Sequence, residues 1–168
     1  NPGAAGLHLC VRAFDIQPGD RVITTPFSFV ASTNALLYEN AVPVFVDIDP
    51  VTGNIDPARV AEAAEDLARS PVSERWLPRR GAGQPGRLKA ILSVDVFGQP
   101  ADMDALRAVA GRHGLALIED SCEALGARYK DRPAGMLGDC GVFAFYPNKQ
   151  ITTGEGGMIV TDDERAAT

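Results

Sequence analysis

Residues 141–157 read Gly-Val-Phe-Ala-Phe-Tyr-Pro-Asn-Lys-Gln-Ile-Thr-Thr-Gly-Glu-Gly-Gly, a short apolar strand followed by a glycine-rich turn. Lys149 falls between the strand and the turn, where a surface lysine would gain nothing. A lysine held against a partly desolvated pocket can lose its proton and attack carbonyl carbons as a neutral amine. The pattern therefore marks Lys149 as a candidate nucleophile.

Upstream of this stretch, short apolar strands alternate with amphipathic helices. Predicted strands cover residues 21–24, 42–46, 88–94, 115–118, 141–145 and 158–160, and predicted helices cover residues 4–14, 28–39, 57–69 and 101–113. This alternation implies right-handed βαβ units and a mostly parallel sheet of the α/β class. Active groups in such sheets gather at the carboxyl ends of the strands.

Asp120 lies at that edge, because it follows the predicted strand 115–118. A lysine and a carboxylate in one pocket suggest a Schiff base with pyridoxal 5′-phosphate, in which the carboxylate pairs with the pyridinium nitrogen. Other acidic residues resemble metal ligands in type, but turn and cap roles explain them better: Asp47, Asp49, Asp102 and Asp104. No metal site is predicted.

The opening run Gly3-Ala-Ala-Gly6 directly precedes the first predicted helix. Backbone N–H groups at a helix start bind anions, and small residues let a phosphate approach closely. A plain helix cap explains the run equally well on local grounds, and the lysine and carboxylate favour the phosphate site. Phe29 is a candidate plate for a planar ring, although a phenylalanine in isolation belongs by default to the core.

Composition narrows the class of protein. The chain of 168 residues has a net charge of −6 and 45% hydrophobic residues, typical of a globular protein. Nucleic-acid binding is excluded because it calls for a clustered basic face. No run is long enough for a membrane helix, and no secretory signal pattern is present. The odd set Cys10, Cys122 and Cys140 predicts reduced thiols and a cytoplasmic location.

The two ends and one internal segment stand apart. The chain starts without methionine and stops just after a predicted strand, which favours a fragment of a longer polypeptide. Residues 70–86 are rich in proline and glycine and predict a long surface loop, interpreted as an insertion. Within them, residues 81–86 match the dinucleotide fingerprint GxGxxG in letters only, because they lead into a strand rather than a helix.

The chain resembles the large domain of the DegT/DnrJ/StrS sugar aminotransferases, a family of fold-type I pyridoxal-phosphate enzymes. The resemblance covers nearly everything outside residues 70–86. It rests on these segments: Gly3-Ala-Ala-Gly-Leu-His-Leu9, Pro18-Gly-Asp20, Thr25-Pro-Phe-Ser-Phe-Val-Ala-Ser32, Pro43-Val-Phe-Val-Asp-Ile-Asp49, Phe97-Gly-Gln-Pro-Ala-Asp-Met103, Ile118-Glu-Asp120 and Tyr146-Pro-Asn-Lys-Gln-Ile-Thr-Thr-Gly-Glu-Gly-Gly157.

The resemblance implies an incomplete three-layer αβα domain, truncated at both ends, that works as a homodimer when full length. It implies that Lys149 bonds the cofactor and then acts as the catalytic base. It assigns other residues to cofactor binding: Ala4 and Ala5 by their amides, Phe29 by stacking, Asp120 at the ring nitrogen and Glu123 near the ring hydroxyl. The family more often has glutamine or histidine at position 123, threonine at position 4 and serine at position 144. Because Ala4 and Ala144 lack those hydroxyls, we expect weaker cofactor binding.

The implied reaction moves an amino group from an amino acid, with glutamate as the expected donor, to a keto-sugar that is nucleotide-linked, in amino-sugar biosynthesis. Two alternatives stay open. One is another reaction of a fold-type I pyridoxal-phosphate enzyme, and the other is a regulatory relative that keeps the cofactor fold without catalysis. We expect the fragment by itself to be inactive.

Overall fold

A computed structural model describes residues 2–70, 73, 75–77, 86–164 and 166–167. Its main helices are α1 (Pro2–Ala13), α2 (Val30–Leu37), α3 (Pro57–Arg69) and α4 (Met103–His113). Its strands are β1 (Arg21–Thr24), β2 (Val42–Phe45), β3 (Leu88–Val94), β4 (Ala116–Asp120), β5 (Arg128–Tyr129), β6 (Arg132–Pro133), β7 (Cys140–Ala144) and β8 (Gly157–Val160).

Six strands form one sheet in the order β2-β1-β3-β4-β7-β8. The first five are parallel, and β8 runs antiparallel to β7. The strand order reverses between β1 and β3, since the chain moves outward to β2 on one side and to β4 on the other. Crevices at such reversal points, beside the carboxyl ends of the strands, are the usual ligand sites of open α/β sheets.

Helices cover both faces of this sheet. Helices α1 and α2 enclose one apolar core, which includes Leu7, Leu36 and Ile118. Helices α3 and α4 enclose a second core on the opposite face, which includes Val60 and Leu106. The predicted α/β class, the mostly parallel sheet and the three-layer arrangement are therefore confirmed.

Strand β4 shows how the pleat sends neighbouring side chains to opposite faces. Leu117 packs with α3 and α4, whereas Ile118 packs with α1 and α2. The alternation continues into the two acidic residues that end the strand. Glu119 binds the backbone of residues 135–138 on the first of these faces, and Asp120 binds α2 on the second.

The predicted element bounds lie within two residues of those observed. The second helix begins at Val30 rather than residue 28, because Phe29 is its N-cap and has extended backbone angles, φ −71° and ψ 139°. The two-stranded β5–β6 hairpin is not predicted from the sequence. Asp56 caps α3, since its Oδ1 accepts from the N–H of Ala58 at 2.8 Å.

Most of the predicted loop 70–86 lies outside the described residues. Of the part that is described, Trp76 Nε1 donates to Asp66 Oδ2 at 2.9 Å, and Arg75 pairs with Glu62 at 2.6 Å. These contacts fasten residues 75–77 to α3. Of the helices in the described ranges, none has the length and apolar character that a bilayer crossing requires.

Candidate functional site

A cavity of about 480 Å³ opens at the carboxyl edge of the parallel strands. Its walls come from the segments that follow β1, β3, β4 and β7, together with the start of α1. Of the predicted site residues, the cavity walls contain Ala4, Phe29, Asp120, Glu123 and Lys149. The sheet topology thus brings together residues that are up to 145 positions apart in the sequence (149 − 4).

Lys149 lies in the turn that leaves β7, where its N–H donates to the carbonyl of Tyr146 at 2.9 Å. Its side chain is 17% exposed, and Nζ lies 3.2 Å from Glu123 Oε1. The side chain is mostly shielded from water. Because Lys149 lines the cavity, a small molecule bound there can reach it.

Asp120 ends β4 and is 6% exposed. Its Oδ2 accepts from Ser32 Oγ at 2.5 Å, and its Oδ1 accepts from the N–H of Cys122 at 3.3 Å. Among the residues that the structure describes, none donates to Asp120 from a cationic side chain.

Ser32 and Ser28 are site residues that the sequence analysis missed. They lie one turn apart at the start of α2, with Oγ atoms 2.8 Å from each other. The signal in the sequence is that the two serines are four positions apart, with Phe29 between them. Ser28 lines the cavity, so the pair joins the cavity to the buried carboxylate.

Asp95, just beyond β3, is a second buried carboxylate in the cavity wall that the sequence analysis missed. Its Oδ2 accepts from Ser121 Oγ at 2.6 Å, and its Oδ1 accepts from the N–H of Ala101 at 3.0 Å. Burial raises the pKa of Asp95 to about 6, against the lowering effect of these two donors. The nearby charges of Glu119 and Asp120 raise it further.

Glu119 takes no part in the cavity. Its carboxylate accepts from the backbone N–H groups of Gly135, at 2.9 Å, Leu137, at 2.5 Å, and Gly138. Burial raises the pKa of Glu119, and the three backbone donors oppose that shift. The residue therefore anchors the loop that leads into β7.

The start of α1 forms one end of the cavity. The helix begins at Pro2, which has no N–H, and the amides of the first turn lack partners within the helix. Gly3 and Ala4 line the cavity, whereas Ala5 is exposed and does not. Ala144, at the end of β7, lines the same cavity, so its wall has backbone amides but no hydroxyl at positions 4 and 144.

Aromatic side chains surround the mouth of the cavity. Phe29 is 68% exposed. Phe27 meets Phe97 edge to face, with ring centroids 6.2 Å apart. Phe97 has a left-handed backbone, φ 54°, which non-glycine residues rarely adopt.

Cys122 also lines the cavity, beside Asp120. Burial raises the pKa of its thiol far above the ordinary range, and the charge of Asp120 adds to the effect. A thiol that keeps its proton is a poor nucleophile. Cys122 is therefore not a candidate nucleophile in this cavity.

Comparisons with known proteins give a consistent picture. The sequence model of the DegT/DnrJ/EryC1/StrS aminotransferase family matches residues 1–168. The chain is 43% identical over 167 residues to GDP-perosamine synthase of Caulobacter vibrioides, covering 99% of this chain and 40% of that protein. It is 41% identical over 166 residues to a pleiotropic regulatory protein of Geobacillus stearothermophilus, covering 98% and 39%.

Among solved structures, DesI in the presence of its TDP-sugar product matches with a TM-score of 0.80 and 39% identity. The match covers 98% of this chain and 36% of that chain. The likeness confirms the predicted fold. The chain spans about two fifths of the length of the curated relatives it matches.

Proposed function

This chain belongs to the DegT/DnrJ/EryC1/StrS aminotransferase family, and we propose that the protein it forms part of transfers an amino group from an amino acid to a keto-sugar. The cofactor is pyridoxal 5′-phosphate, the donor is glutamate and the sugar is nucleotide-linked. The names of two relatives support the substrate class, since one is a GDP-perosamine synthase and another was crystallised with a TDP-sugar product.

One observation carries the proposal: Lys149 and the buried Asp120 face the same cavity. The residues present fit the cofactor. The cavity, at about 480 Å³, is large enough for a substituted pyridine ring and its phosphate. The Asp120 carboxylate has hydrogen-bond donors but no cationic partner among the described residues, which suits a protonated ring nitrogen.

Bound pyridoxal phosphate supplies an electron sink for electrons released when a substrate carbon loses its proton. Lys149 Nζ would hold the cofactor covalently and, as a free amine, would accept the proton released from the substrate carbon. Asp120 keeps the proton on the ring nitrogen. Its attraction for that nitrogen is strengthened by the low dielectric of the cavity.

The remaining assignments follow the cavity wall. The amides at the start of α1 would bind the phosphate, that of Ala4 in the cavity wall and that of Ala5 outside it, and Phe29 would cover one face of the ring. Glu123, 3.2 Å from Lys149 Nζ, would lie near the ring hydroxyl of the bound cofactor. This placement leaves the open mouth of the cavity for the two substrates.

We propose that the whole protein is a cytoplasmic homodimer. Several exposed apolar side chains support a partner surface beside the cavity mouth: Phe29, Val30, Tyr146 and Ile151. The three cysteines are free thiols, which suits a reducing compartment.

A regulatory role is the second candidate, and the 41% identity to the Geobacillus protein favours considering it. A regulatory protein of this fold would bind the cofactor without turning over any amino donor. A different reaction on the same fold would consume an amino donor without aminating a keto-sugar. Detection of an aminated sugar would distinguish the proposed function from the regulatory role and from the different reaction.

The test uses the full-length protein that contains this chain. Borohydride reduction of the loaded protein, followed by peptide mapping, is expected to place the cofactor adduct on Lys149. A Lys149→Arg variant should take up no adduct, whereas Lys89→Arg, outside the cavity, should label like the parent. Incubation with glutamate and nucleotide-linked keto-sugars then follows amino transfer. An adduct on another lysine would overturn the proposal.

A further inference from the structure

The first turn of α2 joins the cavity wall to its buried carboxylate. Ser28 is partly exposed and lines the cavity, whereas Ser32 is 1% exposed. The Oγ atoms of the two serines are 2.8 Å apart, and Ser32 Oγ is 2.5 Å from Asp120 Oδ2. Neither serine has a role in the function proposed above.

The direction of these hydrogen bonds follows from counting protons. An ionised carboxylate has no proton to give, so Ser32 donates its single hydroxyl proton to Asp120. Ser32 Oγ can then only accept from Ser28, whose single proton also reaches the Phe29 carbonyl at 3.1 Å. The distance of 2.5 Å is typical of a hydroxyl that donates to a charged oxygen, a class of bond roughly twice as strong as a neutral one.

Ser32 does not serve the helix. The N-cap of α2 is Phe29, which makes no side-chain cap bond, and the Ser32 hydroxyl points to β4 instead. Its neighbours on the buried side of α2 are apolar, among them Ala35 and Leu36. An alanine would satisfy both helix propensity and packing at such a position. The hydroxyl is therefore explained by the carboxylate that it contacts.

We propose that Ser32 is a positioning residue for amino transfer: its hydroxyl fixes the Asp120 carboxylate in place for the cofactor's ring nitrogen. The inference rests on the proposed function. Of the two donors to Asp120, Ser32 is the closer, since the N–H of Cys122 lies at 3.3 Å. Ser28 restrains the Ser32 hydroxyl in turn. Phe29 lies between the two serines in the sequence. The same turn therefore positions both the Asp120 carboxylate and the aromatic ring proposed to stack on the cofactor.

The test compares Ser32→Ala and Ser32→Thr in the full-length protein. Ser121→Ala is the matched control, because Ser121 also donates to a buried carboxylate, Asp95, at 2.6 Å. The protein is loaded with pyridoxal phosphate labelled with ¹⁵N in the ring, and the ring-nitrogen resonance is recorded. We expect Ser32→Ala to shift it toward the unprotonated form and to slow the reaction with the amino donor about tenfold. Ser32→Thr should restore both.

Ser121→Ala should lower the unfolding temperature about as much as Ser32→Ala while leaving the resonance in place. An unchanged resonance in Ser32→Ala, or an equal shift in Ser121→Ala, would overturn the inference and leave the proposed function intact. Failure of the parent protein to bond the cofactor at Lys149 would overturn both. Should Ser32→Ala not fold, Ser28→Ala is expected to give a smaller shift in the same direction, and no shift would count against the inference.

Discussion

Lys149 Nζ lies 3.2 Å from Glu123 Oε1, and both residues line the cavity. The backbone of Glu123 is held in place from two sides. The side-chain amide of Gln150 donates to its carbonyl, and Gly98 packs against that same carbonyl. The backbone that carries this carboxylate is thus held in place beside the lysine.

Glu123→Gln is expected to speed cofactor capture. The amine must leave its contact with the Glu123 carboxylate to bond the cofactor, and a neutral glutamine holds it less strongly. Because Glu123 is 45% exposed and its charge is screened, the gain should be small, roughly two- to fivefold. The rate of absorbance change on adding pyridoxal phosphate measures it. The control is Glu155→Gln, in the glycine-rich turn that follows Lys149, which should not change the rate. Slower capture by the Glu123→Gln variant would contradict this expectation.

Asp120→Asn is expected to damage turnover more than cofactor binding. The amide has the shape of the carboxylate but no charge to hold the ring-nitrogen proton, so turnover should fall roughly a hundredfold. The cofactor dissociation constant should rise by less than about tenfold, because the covalent bond to Lys149 remains. Steady-state kinetics and fluorescence titration measure the two effects. Asp49→Asn, in a surface turn, is the control, and equal losses in binding and turnover would argue against the assigned role.

The position of Asp120 could be predicted from the sequence, whereas its partners could not. An acidic residue after an apolar strand lies at the carboxyl edge of a parallel sheet whatever the detailed packing. Ser32 reaches Asp120 across 88 positions of sequence. That contact depends on how closely α2 packs on the sheet, which no local pattern specifies.

Asp95 escaped prediction for a related reason. It ends a buried strand as Asp120 does, but its neighbours Val96 and Phe97 give no sign of a cavity. The turn that it anchors is fixed by Asn54, which accepts from the N–H of Val96 at 3.0 Å. Local helix signals behaved differently. Asp56 before Pro57 and Gly114 after His113 mark helix ends through their own backbone preferences, and both are where the sequence puts them.

Ala4→Thr and Ala144→Ser are each expected to tighten cofactor binding. Both positions line the cavity, and a hydroxyl at either one adds a donor for the charged phosphate. A hydrogen bond to a charged group is worth about 1.5–3 kcal/mol, so the dissociation constant should fall at least tenfold or so. Equilibrium dialysis measures it. Ala4→Val, which has the shape of threonine without the hydroxyl, separates the hydrogen bond from the added bulk. A parent protein that binds as tightly as the variants would contradict this expectation.

Asp95 should make stability fall as pH rises. Its pKa in the folded chain is about 6, against 3.8 as the ordinary value, so the folded chain holds this proton more tightly than the unfolded chain. The contribution of Asp95 to the free energy of unfolding is fully present below pH 3.8 and is lost as the pH rises to about 6. The total loss is about 3 kcal/mol.

Asp95→Asn does not titrate, and its amide can still accept from Ala101 and donate to Ser121. We therefore expect the stability of the variant relative to the parent to grow by roughly 2–2.5 kcal/mol between about pH 4 and about pH 7. Urea unfolding of the full-length protein at a series of pH values measures this difference. A difference that does not change with pH would show that Asp95 is ionised throughout.

Gly98 links the strained turn after β3 to the lysine's partner. It has φ +85°, and a Cβ there would lie 2.7 Å from the carbonyl oxygen of Glu123. Gly126 has the same φ of +85°, but a Cβ there would meet nothing within 4 Å. Gly126→Ala therefore measures the backbone cost alone, whereas Gly98→Ala adds the displacement of Glu123.

We expect Gly98→Ala to lower the free energy of unfolding by about 1–3 kcal/mol more than Gly126→Ala, as overpacking against fixed backbone does. It should also change the rate of cofactor capture, because the Glu123 carboxylate moves with its carbonyl. Gly126→Ala should leave that rate unchanged. Urea unfolding and absorbance stopped-flow on the same two variants separate these effects. Equal stability losses in the two variants would mean that the backbone of Glu123 yields without cost, and the lysine's partner would then not be held by the turn.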